Sequence, residues 1–325
     1  MDEDVLTRTL TDFGMRGVFT AASELAAPWG IAIPPMPGTV VFHLVTSGAL
    51  VLDVGGSTTP MTAGDLVLVP HGTGHAVLDA PGSAATPLFD LPRTELGERY
   101  ERLRIDGPGA RTDLVCGAVS FTGLGVGRLV RSLPPVLHAG HGEDTAWMRA
   151  AFEVIRDESR RPRPGSDVIT ARLADVLVVQ VVRSWLESGA PDRGWVAGLR
   201  DPLLGRALAS FHAEPGAPWT LAALAREAGM SRSAFAVRFR DLLGEPPMAY
   251  VTTWRMDLAG RLLREEQLPL ARVAERVGYS SEAAFHRAFR RAHHLTPGAF
   301  ARRRDAFADH VPQWHAVAAR TSGGS

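Results

Sequence analysis

Two sets of residues in this 325-residue chain could do chemistry. The first is His43, His75 and Cys116, two imidazoles and one thiol. As ligands they could hold Zn or another divalent ion and leave a fourth position open. As ordinary side chains, the two histidines would line a pocket as hydrogen-bonding groups, with Cys116 a small buried hydrophobe. The second set falls in two short runs near the C-terminus. One is Arg232, Ser233, Ala236, Val237 and Arg240; the other is Ser281, Glu282, Ala283, His286, Arg287 and Arg290. A guanidinium such as Arg287 can donate two bonds to a guanine edge, a carboxylate such as Glu282 can accept from cytosine N4, and His286 can do either. Ala236 and Val237 could touch thymine methyls only. Arg232, Arg240, Arg290 and Arg291 suit phosphate contact, which positions a protein without reading sequence.

Such side chains need an element that buries one face and presents the other, and the sequence supplies it twice. LAREAGMSRSAFAVRFR starts at Leu224 and VAERVGYSSEAAFHRAFR at Val273. Ala225 and Gly229 recur as Ala274 and Gly278, an offset of 49; Phe235, Phe239 and Pro247 recur as Phe285, Phe289 and Pro297, an offset of 50. The slip of one falls between a short helix and a long one, where a turn absorbs it. Thr220 caps the first short helix and Ser231 the helix after it. Gly229 and Gly278 sit where the chain must turn at positive φ. In the second unit Pro269 or Leu270 opens the short helix and Ser280 or Ser281 caps the long one. Each unit is a helix-turn-helix whose second helix can enter a DNA major groove, with the phenylalanine pair turned inward.

From about Leu199 to Arg304 the chain resembles the AraC family of bacterial transcription regulators. The resemblance rests on the paired units, the joining stretch PPMAYVTTWRMDLAGRLL and the closing GYSSEAAFHRAFRRAHHLTPGAFARRR. It implies a long helix, about Met248 to Arg264, holding the two recognition helices one DNA turn apart, ~34 Å. It also implies double-stranded promoter DNA, RNA polymerase and a second copy of the chain as partners, with Arg287 at a base-reading position. The run Arg302-Arg303-Arg304 closes the last helix, where it complements the dipole.

Composition fits a globular protein without membrane spans: 45% of residues are hydrophobic, 22% are charged, and no apolar run approaches membrane-spanning length. The acidic start MDEDVLTRTLTDF lacks a signal peptide's basic and apolar segments. One cysteine excludes an intrachain disulfide, and the cytoplasm is the expected compartment. In LVCGAV, Cys116 has neither an adjacent charge nor a helix start to activate it. All 35 basic residues are Arg, balanced by 35 acids. The balance hides a split, since residues 1–198 carry a net −6 and residues 199–305 a net +6. A basic half beside an acidic one fits phosphate contact by the helical half alone.

Residues 1–135 read as strands: Val40–Thr46, Ala49–Val54, Asp65–Val69 and Leu114–Phe121, with Ser47-Gly48 and Gly55-Gly56 as turns. The stretch from Gly64 to Asp79, GDLVLVPHGTGHAVLD, resembles the second cupin motif, with Asp79 in place of Asn. VVFHLVTSG resembles a remnant of the first. The resemblance implies a barrel that binds a small effector, with Trp29, Phe42, His43 and His75 as lining. It also implies an HxH and a Glu in metal-binding members; here Val45 follows His43, and Ser47-Gly48-Ala49-Leu50 offers no Glu. No resident cofactor is therefore expected, with the His43, His75 and Cys116 metal trio as the alternative.

Two helices follow. Glu143–Ser159 has Trp147, Ala150, Ala151, Val154 and Ile155 on its apolar face. Asp167–Glu187 is apolar on two sides, which suits a dimerisation helix or complete burial within one chain. The expected fold is α+β with two domains. A cupin-like β-barrel or jelly-roll spans 1–135, a helical dimerisation segment 136–190, a linker 191–198, an all-α double helix-turn-helix 199–305 and a tail 306–325. The expected function is a sequence-specific transcription regulator, not an enzyme, whose promoter binding responds to a small molecule in the barrel. The competing readings are a cupin metal sensor or enzyme fused to a helical module, and helical repeats used for protein contact.

Overall fold

The structure is a computed structural model that describes residues 15–97, 100–121, 124–139, 146–161, 163–189, 192–266 and 268–302. The acidic N-terminal segment, the helix start at Glu143 and Asp144, Arg303, Arg304 and the 306–325 tail lie outside the described residues. The chain divides into two compact units: residues 15–121 with 133–189, and residues 124–132 with 192–302.

The first unit carries twelve described strands: β1 (Met15–Ala26), β2 (Gly30–Ile33), β3 (Thr39–Ser47), β4 (Ala49–Val54), β5 (Ser57–Thr62), β6 (Leu66–Val69), β7 (His75–Leu78), β8 (Thr86–Pro87), β9 (Arg93–Gly97), β10 (Tyr100–Ile105), β11 (Arg111–Phe121) and β12 (Leu137–Ala139). A seven-stranded sheet runs β12-β6-β3-β11-β1-β10-β9, and a five-stranded sheet runs β5-β4-β7-β2-β8. Alternate side chains fill the core: Val41 and Val45 of β3, Val67 and Val69 of β6, Leu50 and Leu52 of β4, and Leu114 and Ala118 of β11. Burying each Val or Leu contributes about 1.5–3 kcal/mol.

The two glycine turns have different jobs. Gly55 and Gly56, at φ 61° and 87°, close the β4–β5 hairpin as a two-residue turn between paired Val54 and Ser57. Ser47-Gly48 instead carries the chain from one sheet to the other. A Cβ at Gly48 would lie 2.4 Å from the Arg111 carbonyl oxygen, so only glycine fits.

Helices α2 (Ala146–Arg160) and α3 (Ser166–Gly189) complete this unit; α1 (Val126–Ser132) belongs to the other. The single apolar face read for the first of this pair divides. Met148, Ala151 and Ile155 are buried, whereas Trp147 and Val154 are exposed. In α3, Leu177, Val178, Val181 and Val182 are buried while Val168, Ile169 and Val176 are exposed. The turn between the helices is pinned by Glu158, whose buried carboxylate accepts from Ser166 Oγ and Arg163.

The second unit contains α1, α4 (Trp195–Arg200), α5 (Pro202–Ala213), α6 (Leu221–Glu227), α7 (Arg232–Leu243), α8 (Pro247–Glu265), α9 (Leu270–Arg276), α10 (Glu282–His293) and α11 (Pro297–Arg302). Helix α4 begins within the segment read as linker, because Trp195, Val196 and Leu199 bury. The long helix α8 carries two cores. Its first half sets Tyr250 and Trp254 against Phe211 and Phe239. Its second half sets Met256, Ala259, Leu262 and Leu263 against Val273, Val277, Phe285 and Phe289. The first core holds a polar chain: Trp195 Nε1 donates to Tyr250 Oη at 2.9 Å, and Tyr250 Oη lies 2.7 Å from His212 Nε2. Arg128 of α1 stacks over the Tyr250 ring at 4.3 Å and pairs with Glu245. A Cβ at Gly125, just before α1, would meet the rings of Trp195 and Trp254.

Candidate functional site

Each short-long helix pair is fixed by its own caps. Thr220 Oγ1 accepts from Ala223 N, Ser231 Oγ from Ala234 N, and Ser281 Oγ from Ala284 N, which selects Ser281 over Ser280 as the cap of α10. Gly229 and Gly278 turn at φ 66° and 80°, and the next backbone N–H in each unit returns to the short helix: Met230 N to Ala225 O and Tyr279 N to Ala274 O. The two units are tied by a close backbone approach. Cβ atoms built at Gly278 and Gly216 would lie 2.5 Å from the carbonyl oxygens of Gly216 and Arg276 respectively. Arg255 of α8 seals the same place, donating from Nε to Pro215 O at 2.7 Å and from Nη2 to Ala217 O at 2.6 Å.

With both phenylalanine pairs buried, the residues expected to face DNA reach the surface. Arg232, Ser233, Val237 and Arg240 of α7 are exposed and Ala236 is half-buried; Val237 is 61% exposed. Around α10, Ser281, Glu282, Ala283, Arg287 and Arg290 are exposed and His286 is half-buried. Sequence reasoning missed Arg238. It is exposed on α7 and engaged by Asp201, which also caps α5 through the N–H groups of Leu203 and Leu204. Burial alone would raise the Asp201 carboxyl, but Arg238 and the two backbone donors outweigh it and hold it below the ordinary range. A shallow concavity runs beside α7 between Asp201, Met230, Ser233, Val237 and Asp241.

The barrel encloses a narrow, mostly apolar cavity. Its wall includes Phe19, Ile31, Val41, His43, Leu103 and Cys116. His43 Nε2 lies 2.8 Å from His75 Nε2, with the rings edge-on at 77°, and His75 Nδ1 lies 2.7 Å from Thr73 O. The cupin-like segment builds this pair: β6 ends at Val69, and Gly72 turns at φ 58°, where a Cβ would collide with Met36 O. The chain then returns as β7 with His75 at its start. Of the other expected lining residues, Phe42 points to the opposite face of β3, against Gly117, because strand side chains alternate. Trp29 is buried in the same core but is not on the cavity wall, and His75 reaches the cavity only through His43, so that of the four expected residues His43 alone lines it. Ser23, Arg93 and Glu101 are on the wall and were not anticipated; they come from β1, β9 and β10, which showed no clear alternation.

The metal trio does not assemble. Among the described residues no group of three or more His, Cys, Asp or Glu is placed to hold a metal ion. Cys116 is the cross-strand neighbour of His43, yet burial pushes its thiol up to about 12, only partly offset by Ser23. A protonated thiol is neither a ligand nor a nucleophile. Burial, helped by the neighbouring His75, holds His43 well below the ordinary histidine range; burial lowers His75 too, opposed by its bond to Thr73.

A barrel with an enclosed cavity, joined to paired helix-turn-helix units with exposed arginines, defines a DNA-binding regulator with a sensing domain. Comparison with known proteins agrees. A cupin family model matches residues 4–187 and a helix-turn-helix domain model matches residues 224–303. The chain is 35% identical over 307 residues to a putative AraC-like transcription regulator of Streptomyces antibioticus, covering 91% of this chain and 96% of that one. It is 31% identical to the HTH-type transcriptional regulator AlkR of Acinetobacter baylyi, covering 80% and 90% of the two chains. It is 28% identical to the RCS-specific HTH-type transcriptional activator RclR of Escherichia coli, covering 92% and 98%. The chain belongs to the AraC family of transcription regulators, with an N-terminal cupin domain and a C-terminal helix-turn-helix domain. It is not an enzyme, and among the described residues no helix is long and apolar enough to cross a membrane.

Proposed function

We propose that α7 and α10 enter successive major grooves of a promoter, and that the base-reading burden falls on α10. Arg287, Glu282 and His286 read bases; Arg232, Arg240 and Arg290 hold phosphates; Ala236 and Val237 meet thymine methyls. The observation that carries this reading is the repeated unit itself, with its apolar face buried twice over and its arginines left at the surface. The protein acts in the cytoplasm, as a homodimer and with RNA polymerase. The exposed Val168, Ile169 and Val176 of α3 support self-association, since an apolar stripe at the surface of a helix is the usual mark of a partner.

A small molecule in the barrel regulates DNA binding, with His43 as its polar contact and His75 holding the His43 ring from behind. It can do so only by binding one arrangement of the protein more tightly than another. Chain connectivity supplies a route. Cys116 lies on β11, which ends at Phe121, and five residues later the chain enters α1, whose Arg128 is anchored on Glu245 and Tyr250. At the other end of α1, the Leu133 carbonyl oxygen lies 3.0 Å from Nε2 of His71, four residues before His75. The test is selection of genomic fragments followed by footprinting at two salt concentrations. Protection of two adjacent major grooves per subunit, with a steep salt dependence, supports the reading. Binding without sequence preference, with and without cell extract metabolites, would overturn it.

A further inference from the structure

The cavity specifies the chemistry of what it binds, and the specification rests on a chain of hydrogen bonds. A carbonyl oxygen can only accept, so the contact between Thr73 O and His75 Nδ1 fixes the proton on Nδ1. Neutral His75 then has a bare lone pair on Nε2. That atom is 2.8 Å from Nε2 of His43, so His43 Nε2 carries the proton and donates it. Neutral His43 is left with a bare lone pair on Nδ1. This atom is buried in a residue 1% exposed and has no hydrogen-bond partner. A buried acceptor without a donor has lost its hydration without compensation, and a ligand that supplies a donor restores the missing bond.

We propose that the effector is a small uncharged molecule with an apolar body and one O–H or N–H group, which it donates to His43 Nδ1. This rests on the reading of the barrel as the effector site and narrows it to a chemical class. The remainder of the wall is mainly apolar, with Val41, Ile31, Phe19 and Leu103 suited to a hydrocarbon body and Ser23, Arg93 and Glu101 as its polar part. A carboxylate brings only acceptors and would face a lone pair. A cation would lose its hydration in an apolar enclosure that keeps even the histidines uncharged. Arg93 and Glu101 on the wall form an ion pair at 3.6 Å, so their opposite charges offset each other.

The test uses the full-length protein and two isomeric probes, 1-butanol and methyl propyl ether, with butyrate as the anion control. Binding is followed by ligand-observed NMR. The alcohol should bind about tenfold more tightly than the ether, and butyrate should not compete. In His43→Leu the alcohol's advantage should disappear while the ether's binding is retained or strengthened. Equal binding of the two isomers, an advantage that survives in His43→Leu, or no binding by either would overturn the proposal. Nitrogen-15 NMR of the free protein gives a second reading: His43 should show Nδ1 bare and Nε2 protonated at neutral pH, and the reverse tautomer would overturn it. Selective alcohol binding with no effect on operator affinity would leave the chemical class standing and sink the effector role instead.

Discussion

The two recognition helices share a buried face and differ on the exposed one. At an offset of 50, Phe235 and Phe239 of α7 correspond to Phe285 and Phe289 of α10, and all four are buried to 1% exposure or less. On the outer side, Ala236 and Val237 correspond to His286 and Arg287, and Asp241 to Arg291. Packing dictates the first set, because a phenylalanine core tolerates little change of volume. Nothing in the helical scaffold dictates the second, so that face is free to encode a binding preference. An acid at Asp241, where the second helix has a base, further separates a weak reader from a strong one.

The turns preceding these helices should separate most under substitution. Gly229→Ala meets nothing nearer than Arg206 Nη2 at 3.6 Å, so it should cost only the backbone penalty of about 1 kcal/mol. Gly278→Ala also drives its Cβ into the Gly216 carbonyl oxygen and should cost about 2–5 kcal/mol. Hydrogen exchange in the full chain, of α6 and α7 for the first variant and of α9 and α10 for the second, would measure both. Equal costs would remove the backbone clasp between the two units. Next in size, Arg287→Ala should weaken operator binding by about 1–3 kcal/mol and relax one base pair, whereas Val237→Ala should change affinity by less than about 1 kcal/mol. Competition binding on single-base operator variants checks both, and a larger loss at Val237 would invert the assignment.

The two cores should also differ in acid. Burial, with Arg128 nearby, depresses His212 in the first core to about 3, so the folded state holds it neutral while the unfolded chain protonates below about 6.5. The unfolded state therefore binds the extra proton, and stability falls as pH drops from about 6.5 toward 3. His212→Gln should flatten that slope in a pH series of chemical denaturation; an unchanged slope would place the acid sensitivity elsewhere. The smallest effect concerns the helix ends. Gly244 ends α7 at φ 79°, and its counterpart His294 ends α10 at φ 56°. His294→Gly should stabilise the second unit by about 0.5–1 kcal/mol, read from the melting temperature.

The helical half was legible in the sequence because its constraints are local. A cap, a glycine and a phenylalanine pair lie within one unit, and the repetition of all three at one offset left little freedom. The barrel was legible only where its strands carry dense apolar runs, as in β3, β4 and β6. β1, with MRGVFTAASELA, has no clean alternation, and its place between β10 and β11 is set by partners roughly 80–100 residues away. The cavity suffered accordingly. His43 was found through its motif, but Phe42 was turned the wrong way, and Arg93 and Glu101 were invisible because their strands pair late in the chain. The seating of α1 with the C-terminal helices had no local signal at all, since Gly125 and Arg128 acquire meaning only beside Trp195, Glu245 and Tyr250.

The central claim is that one scaffold, used twice, reads DNA unequally. Its most direct test is selection from a randomised duplex library with the wild-type protein and with Arg287→Ala, scoring preference base by base across the protected region. The account predicts two protected major grooves, strong preference in the one occupied by α10, and loss of that preference in the variant with both grooves still protected. Equal preference in both grooves, or a preference that Arg287→Ala leaves intact, would contradict it.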